Sequence, residues 1–227
     1  MKTNLITLLC LILVASCTSE KSEEKVSKND ALPYYQEATF TPQWLDKSSP
    51  VLDSFHKIPA FSLTNQLGEV VTEKTLEGKI YVTDFFFTTC PGICPKMTTN
   101  MQLVQAAFTD DEDVMLLSHS VTPETDSVSV LKSYAERNGI NANKWQLLTG
   151  DRQAIYDLGR KSYFVEEDLG LEKTEDEFLH TENFVLIDQN RHIRGIYNGL
   201  NKVSVAQLIA DINTLKEELS SSDKSEE

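Results

Sequence analysis

The chain has 227 residues, and its 35 acidic residues outnumber its 21 Lys and Arg residues, which gives a net charge of −14 at pH 7. This length allows one domain with terminal tails or at most two small domains. Apolar residues make up 40% of the sequence and only 4 residues are cysteines, which excludes a wholly disordered chain and a disulfide-stapled miniprotein. The negative balance argues against nucleic-acid binding, because phosphate recognition requires clustered Lys and Arg side chains.

The N-terminus has the pattern of a bacterial lipoprotein signal. Lys2 supplies a positive charge, residues 5–14 are apolar except at one position, and Val-Ala-Ser-Cys ends the run at Cys17. An apolar run of about ten residues is too short to span a membrane but suits a secretory signal. The tetrapeptide resembles the lipobox, in which cleavage precedes a lipidated cysteine; an ordinary signal with an incidental cysteine is the alternative. We predict a signal peptide over residues 1–16, a lipid anchor on Cys17 and an extracytoplasmic location on the periplasmic side of a membrane.

The mature chain divides into a tether, one domain and a tail. Residues 17–31 are polar and charged without periodicity, which predicts a flexible tether. Residues 220–227 have a similar composition and predict a disordered tail. Residues 32–219 remain as one domain of ordinary size.

The domain alternates strands and helices. Residues 80–87 form a β-branched and aromatic run that is typical of a strand covered on both faces. Met97 and Met101 recur at helical spacing, which favours packing in the core over a thioether copper site. In chain order the pattern predicts a strand at 80–87, a helix at 95–108, a strand at 114–121, a helix at 127–138, a strand at 145–148, a helix at 152–162, a hairpin of strands 184–187 and 193–197, and a helix at 203–219. This order predicts an α/β protein with a thioredoxin-like fold, in which helices flank a central mixed sheet.

Cys90 and Cys94 are the free thiols of the predicted mature protein. Cys10 leaves with the signal peptide and Cys17 carries the lipid, in a compartment where thiols can be oxidised. The pair Cys-Pro-Gly-Ile-Cys-Pro lies where the first predicted strand gives way to the first predicted helix. A helix N-terminus favours thiolate over thiol, and Pro95 fits the first turn of a helix. The two sulfurs can therefore meet at one point.

Such a pair is compatible with three kinds of chemistry. A static disulfide is the least favoured, because one short loop adds only modest stability to a core of sufficient size. A dithiol redox site is possible, although three residues separate the cysteines, whereas the thioredoxin-type motif has two. A metal site also remains open, because two thiolates are soft metal ligands.

The string F-x-T-x-C-P-x-x-C-P-K-M, which follows K-I-Y-V-T-D-F-F, resembles the Sco/SenC family. These thioredoxin-fold proteins are tethered to membranes, bind copper and assist assembly of the binuclear copper centre of cytochrome c oxidase. The resemblance extends over the segments 61–66, 120–124, 148–150 and 180–188. It implies that Cys90, Cys94 and His180 bind one copper ion. Two thiolates suit Cu(I) and an imidazole suits both Cu(I) and Cu(II), so the mixed set can hold copper through a change of oxidation state.

Three positions depart from the family pattern. Gly92 stands where an acidic residue is common, and Thr122 and Leu179 stand where Asp is frequent. None of the three is a ligand in the implied set. Their absence concerns the hydrogen bonds around the ligands, and therefore the copper affinity and the redox potential, more than copper binding itself.

The other histidines and an acidic segment are weaker candidates for copper binding. His119 lies in an apolar strand and is expected to be a buried histidine with satisfied hydrogen bonds. His192 lies in the hairpin turn and is expected to be exposed, and His56 precedes the first core strand. Residues 166–177 contain seven acidic residues and one lysine. They form either a solvated loop or a negative rim beside His180 that attracts copper ions or a basic partner.

Three functions remain open on the sequence. The first is a copper metallochaperone that passes copper to an apo-oxidase subunit, with another copper chaperone or a thiol reductant as further partners. The second is a thiol–disulfide oxidoreductase that reduces the cysteines of that subunit or of another extracytoplasmic protein through Cys90 and Cys94. The third, a peroxide-reducing enzyme, is disfavoured because a sulfenate-forming cysteine needs neither a Pro-flanked partner cysteine nor a distant histidine.

Overall fold

The computed structural model describes residues 31–165 and 181–223. Several predicted features lie outside the described residues: the signal peptide, the lipid attachment site Cys17, most of the tether, the acidic segment, Leu179 and the candidate ligand His180.

Every strand and helix predicted from the sequence is present. The elements are β1 Ser62–Asn65, β2 Val70–Thr72, β3 Ile80–Phe86, α1 Cys94–Ala107, β4 Val114–Ser120, α2 Val128–Arg137, β5 Trp145–Thr149, α3 Arg152–Asp157, β6 Asn183–Ile187, β7 Ile193–Asn198 and α4 Lys202–Asp223. A π-helical turn, Leu158–Ser162, continues α3 to the predicted end of that helix. The prediction did not include β1 and β2, because strands of four and three residues are too short for a clear alternation.

The strands form one mixed sheet in the order β2-β1-β5-β4-β3-β6-β7. The central strands β3, β4 and β5 run parallel, whereas both sides of the sheet are antiparallel. Every residue of β3 and β4 is buried, because helices and loops cover both faces. The predicted α/β thioredoxin-like architecture with a central mixed sheet is therefore confirmed.

The alternation of side chains along β3 separates two hydrophobic cores. Val82 faces a core with α1, in which Met97 and Met101 are only 1% and 0% exposed. Phe85 points to the opposite face, where it packs near Tyr163 with centroids 5.9 Å apart. The prediction that the two methionines pack in the core is confirmed.

Local sequence explains where the helices begin and end. Asp151 caps α3 by accepting a hydrogen bond from the backbone N–H of Ala154 at 2.8 Å. Gly139 follows α2 with a φ of +63°, a left-handed conformation that suits glycine at the end of a helix.

The last helix is longer than predicted. α4 ends at Asp223, so residues 220–223, which the sequence placed in the tail, continue the helix. Neither Gly nor Pro occurs between Lys202 and Asp223, and serine is tolerated in helices, so nothing stops the helix at Leu219. Within residues 31–165 and 181–223, no helix is both long enough and apolar enough to cross a membrane.

His192 is buried, contrary to the prediction of an exposed turn. Its side chain is 2% exposed because the segment before β1, residues 31–61, covers the β6–β7 hairpin. The rings of Tyr34 and Phe55 pack edge-on against the imidazole. Arg194 anchors the same segment: its guanidinium lies 4.0 Å from the centroid of the Tyr34 ring and donates to Glu218 of α4. The turn sequence could not reveal this cover, because the covering residues come from a distant part of the chain.

The burial of Met101 leads to a test of the core that α1 shares with β3. We expect Met101→Ala to lower the free energy of unfolding by about 2–5 kcal/mol, because the cavity lies in a fully buried site. Leu103→Ala is the matched control on the same helix, and since Leu103 is 43% exposed we expect a loss below about 1 kcal/mol. Urea denaturation of the full chain measures both values. Equal losses in the two variants would contradict the assigned face of α1.

Candidate thiol and metal site

The connection between β3 and α1 positions both cysteines. Cys94 is the first residue of α1 and is 4% exposed, whereas Cys90 lies in the preceding loop and is half-buried. Pro95 occupies the first turn of the helix as predicted. Both cysteines are free thiols, and their side chains are hydrogen-bonded to each other. The predicted meeting of the two sulfurs at one point is therefore present in the fold.

The Cys90 sulfur lies where a thiolate is stabilised. Partial burial raises its pKa, but hydrogen bonds from the Cys94 thiol and from the backbone N–H groups of Cys94, Gly92 and Ile93 outweigh burial and lower the pKa overall. These N–H groups belong to the start of α1, where backbone donors have no partner within the helix. Cys90 is consequently the more acidic and the more accessible thiol.

The Cys94 sulfur has the opposite character. Burial raises its pKa first, its hydrogen bond with Cys90 raises it further, and the nearby charges of Cys90 and Asp84 add to the effect. The backbone N–H of Phe87 donates to the sulfur and opposes these effects, and the resulting pKa is about 12. The two thiols are thus unequal, so Cys90 ionises first while Cys94 retains its proton.

Asp84 is a buried carboxylate on the face of the sheet that packs against the hydrophobic core containing Cys94. It pairs in register with Ser118 of β4, whose hydroxyl donates to the carboxylate and accepts a hydrogen bond from the indole N–H of Trp145 at 2.8 Å. Burial raises the pKa of Asp84 to about 7. The sequence pattern did not single out this residue, although one acidic residue inside an otherwise apolar strand, six residues before Cys90, was an available signal.

Two of the departures from the family pattern can be located. Gly92 is exposed, and a Cβ atom at this position would lie 4.0 Å from the Cys90 sulfur, so the space admits a side chain. Because glycine stands here in place of an acidic residue, this position adds no negative charge beside the Cys90 thiolate. Residues 87–93, which connect β3 to α1 and carry Cys90, form the thiol loop. The hydroxyl of Thr122 donates to the carboxylate of Asp126 at 3.0 Å, so this threonine takes part in hydrogen bonding beside the thiol loop.

His180 is the third candidate metal ligand. His180 lies just outside the described residues, which resume at Thr181. Within the described ranges, no three His, Cys, Asp or Glu side chains form a group that could hold a metal ion. β6 begins shortly afterwards, at Asn183, and pairs antiparallel with β3, so its first residues lie at the end of the sheet where β3 leads to Cys90. The described part of the site therefore contributes two soft sulfur ligands.

His119 and His56 pack in or against the hydrophobic core that contains Phe85. His119 is fully buried and stacks on Phe85, with ring centroids 4.9 Å apart. Its Nδ1 is hydrogen-bonded to the Thr83 hydroxyl at 2.9 Å, whereas its Nε2 has no partner among the described atoms, so the prediction of a satisfied histidine holds for one nitrogen only. Burial lowers its pKa to about 4. His56 is half-buried, and its Nε2 lies 2.7 Å from the carbonyl oxygen of Ser162.

The chain is similar to a known protein family and to several solved structures. The SCO1/SenC family model matches residues 51–217 of the chain. The SCO1 protein homolog of Bacillus subtilis is 31% identical over 163 residues, which cover 70% of this chain and 82% of that protein. BsSco, a member of the Sco family of cytochrome c oxidase assembly proteins in which a disulfide switch was identified, superposes with a TM-score of 0.60 at 29% identity, covering 70% of this chain and 93% of its own. ScoI of Arabidopsis thaliana, solved with copper bound, superposes with a TM-score of 0.54 at 28% identity and covers 68% and 97% of the two chains.

The inequality of the thiols predicts selective alkylation. We expect iodoacetamide at pH 7.5 to label Cys90 at least about tenfold faster than Cys94 in the reduced full chain, because thiolate fraction and exposure both favour Cys90. Cleavage after Lys79 and Lys96 yields one peptide, 80–96, that contains both cysteines, so fragmentation in a mass spectrometer assigns the label. The urea-unfolded chain is the control, in which the two rates should converge. Faster labelling of Cys94 in the folded chain would contradict the described geometry.

Asp84 predicts an unusual dependence of stability on pH. Because its pKa is about 7 in the folded state and 3.8 in the unfolded state, the unfolded state loses this proton first, and the wild type loses stability as pH rises from about 4 to 7. Asp84→Asn removes this loss. The free energy of unfolding of the variant minus that of the wild type should therefore grow by about 1 kcal/mol per pH unit and level off above pH 7.

Urea denaturation at intervals from pH 4.5 to 8 measures this difference. Asp53→Asn, at an exposed carboxylate, is the control for the loss of one charge. A difference for Asp84→Asn that stays constant over this range would show that Asp84 ionises normally in the folded protein.

Proposed function

Because the chain belongs to the SCO1/SenC family, we propose that it is a copper metallochaperone that assists assembly of the copper centre of cytochrome c oxidase. Cys90, Cys94 and His180 bind the copper ion, which the protein passes to an oxidase subunit. The observation that carries this proposal is the pair of hydrogen-bonded thiols at the start of α1.

The donor set suits copper. Two sulfur ligands favour Cu(I), and the imidazole added by His180 is acceptable to both oxidation states of copper. The N–H groups at the start of α1 stabilise negative charge on the Cys90 sulfur, and metal binding requires deprotonated thiols. The buried Cys94 thiol has a pKa of about 12, so copper must displace a firmly held proton there. The copper-bound neighbour from Arabidopsis thaliana supports the same assignment.

Thiol–disulfide exchange is the second candidate, and the unequal thiols favour it. The Cys90 thiolate attacks a substrate disulfide, and one substrate sulfur leaves as a thiolate. The Cys94 sulfur, after losing its proton, then attacks the Cys90 sulfur of the mixed disulfide and releases the second substrate thiolate. The substrate disulfide is reduced to two thiols while Cys90 and Cys94 are oxidised to a disulfide. A separate thiol reductant must then restore the pair.

We also propose that the protein acts on the periplasmic side of a membrane, held by a lipid on Cys17. The support for this is the sequence pattern of residues 1–17 and the polar residues that follow it. A tethered donor on this side can meet an oxidase subunit, another copper chaperone or a thiol reductant.

Copper titration distinguishes the two candidate functions. In the reduced full chain, purified in detergent without oxygen, we expect about one copper ion to bind per chain, and we expect Cys94→Ser and His180→Ala each to weaken binding by at least about tenfold, because each removes a ligand. Disulfide exchange with a model peptide should survive His180→Ala, since that step uses only the two sulfurs. Absorption spectra and metal analysis after dialysis measure the bound copper.

His56→Ala is the matched control for the histidine variant. His56 is half-buried and contacts a backbone carbonyl group away from the thiols, so its loss should leave copper binding unchanged. Rapid reduction of the peptide disulfide by a wild-type chain that retains no copper would overturn the metallochaperone proposal and favour the oxidoreductase.

A further inference from the structure

The peptide group between Phe87 and Thr88 connects the thiol loop to the rest of the fold through hydrogen bonds. The carbonyl oxygen of Phe87 accepts a hydrogen bond from the backbone N–H of Cys90 at 3.3 Å, which closes the turn that carries this cysteine. The backbone N–H of Phe87 donates to the sulfur of Cys94. The orientation of the backbone at Phe87 and Thr88 therefore affects both thiols.

Asp126 binds the other side of this peptide group. The N–H of Thr88, which belongs to the same peptide plane as the carbonyl of Phe87, donates to Asp126 Oδ2 at 3.2 Å, and the Thr88 hydroxyl donates to Oδ1 at 2.5 Å. Asp126 is fully buried in the loop between β4 and α2, and Oδ2 also accepts the hydroxyls of Ser120 at 2.6 Å and Thr122 at 3.0 Å. Four hydrogen bonds thus immobilise one buried carboxylate, and two of the four come from Thr88.

We propose that Asp126 is a positioning residue for the thiol pair, which acts through Thr88 and the Phe87–Thr88 peptide group to hold the Cys90 sulfur against Cys94. A buried carboxylate with several charge-assisted hydrogen bonds is a rigid support, because each donor would be left unsatisfied if the loop moved. The peptide group is fixed by Asp126 through its N–H and by Cys90 through its C=O, so it cannot rotate without breaking bonds on both sides. The function of Asp126 is to keep the two sulfurs at the short separation that a shared metal or a disulfide requires.

This inference deepens the proposed function and rests on it for its biological meaning, but its test needs no copper. Fixing two reacting groups raises the effective concentration of one at the other. Loosening the loop should therefore make the Cys90–Cys94 disulfide form less readily. The relevant equilibrium converts the protein dithiol and glutathione disulfide into the protein disulfide and two molecules of glutathione, so that atoms and electrons balance.

Two Thr→Val variants provide a matched comparison. Thr88 and Thr122 are both half-buried, and both donate a hydroxyl to Asp126, but only Thr88 is continuous with the thiol loop. We expect the exchange constant of the full chain to fall about fivefold in Thr88→Val and to change less than twofold in Thr122→Val. We expect a fall of at least about tenfold in Asp126→Ala, which removes the support altogether. The oxidised and reduced forms of peptide 80–96, trapped by acid and alkylated, are quantified at a series of glutathione ratios.

If Asp126 only stabilised the fold, the exchange constant would follow the loss of stability in each variant. Each Thr→Val variant removes one hydroxyl from the same carboxylate, so both should lose similar stability in urea while differing in the exchange constant. The two Thr→Val variants alone decide the outcome if Asp126→Ala does not fold. Equal exchange constants in wild type and Thr88→Val, or equal shifts in the two Thr→Val variants, would overturn the proposal. If the wild-type chain binds no copper while the exchange constants of the two Thr→Val variants differ as expected, the result counts against the proposed function and leaves the role of Asp126 intact.

Discussion

The start of α1 imposes the constraint on which the site depends, because its unpaired N–H groups converge on the sulfur of Cys90. The Cys90 sulfur reaches these groups because β3 ends at Phe86 and the short loop 87–93 leads the chain to the helix terminus. Cys94, the partner of Cys90, is the first residue of the helix and is buried in the hydrophobic core. The result is one accessible thiol of lowered pKa beside one buried thiol of raised pKa, which is useful both for binding a soft metal ion and for disulfide exchange.

Two buried carboxylates on neighbouring elements accompany this pair, and their surroundings differ. Asp84 lies within the sheet with the hydroxyl of Ser118 as its donor, and burial therefore raises its pKa. Asp126 lies in a loop and accepts four hydrogen bonds, which connect it to the peptide group before Cys90. Asp84 thus raises the pKa of Cys94 through its charge, whereas Asp126 positions the thiol loop through hydrogen bonds. Both lie within reach of the thiol loop because parallel pairing of β3 and β4 brings the ends of these strands together.

Much of the fold could be predicted because its central strands and helices carry strong local patterns. The largely apolar, fully buried runs of β3 and β4 and the spacing of Met97 and Met101 reflect burial that neighbouring residues share. Predictions failed where burial came from a distant segment. His192 looked exposed in its turn, but residues of the N-terminal segment cover it. The short strands β1 and β2 were not foreseen because pairing with other strands, more than their own sequence, stabilises them.

The sequence by itself determined the α/β alternation, the position of Cys90 and Cys94 between a strand and a helix, and the resemblance that identified the family. These features depend on residues close together in the chain, so local composition and spacing reveal them. Only the tertiary structure decided that the thiols have unequal pKa values, that Asp84 is buried beside them, and that Asp126 supports their loop. The pKa values of Cys94 and Asp84 depend mainly on desolvation, which the assembled fold produces. The support from Asp126 depends on hydrogen bonds to Thr88, 38 positions away, which exist only once the sheet has assembled.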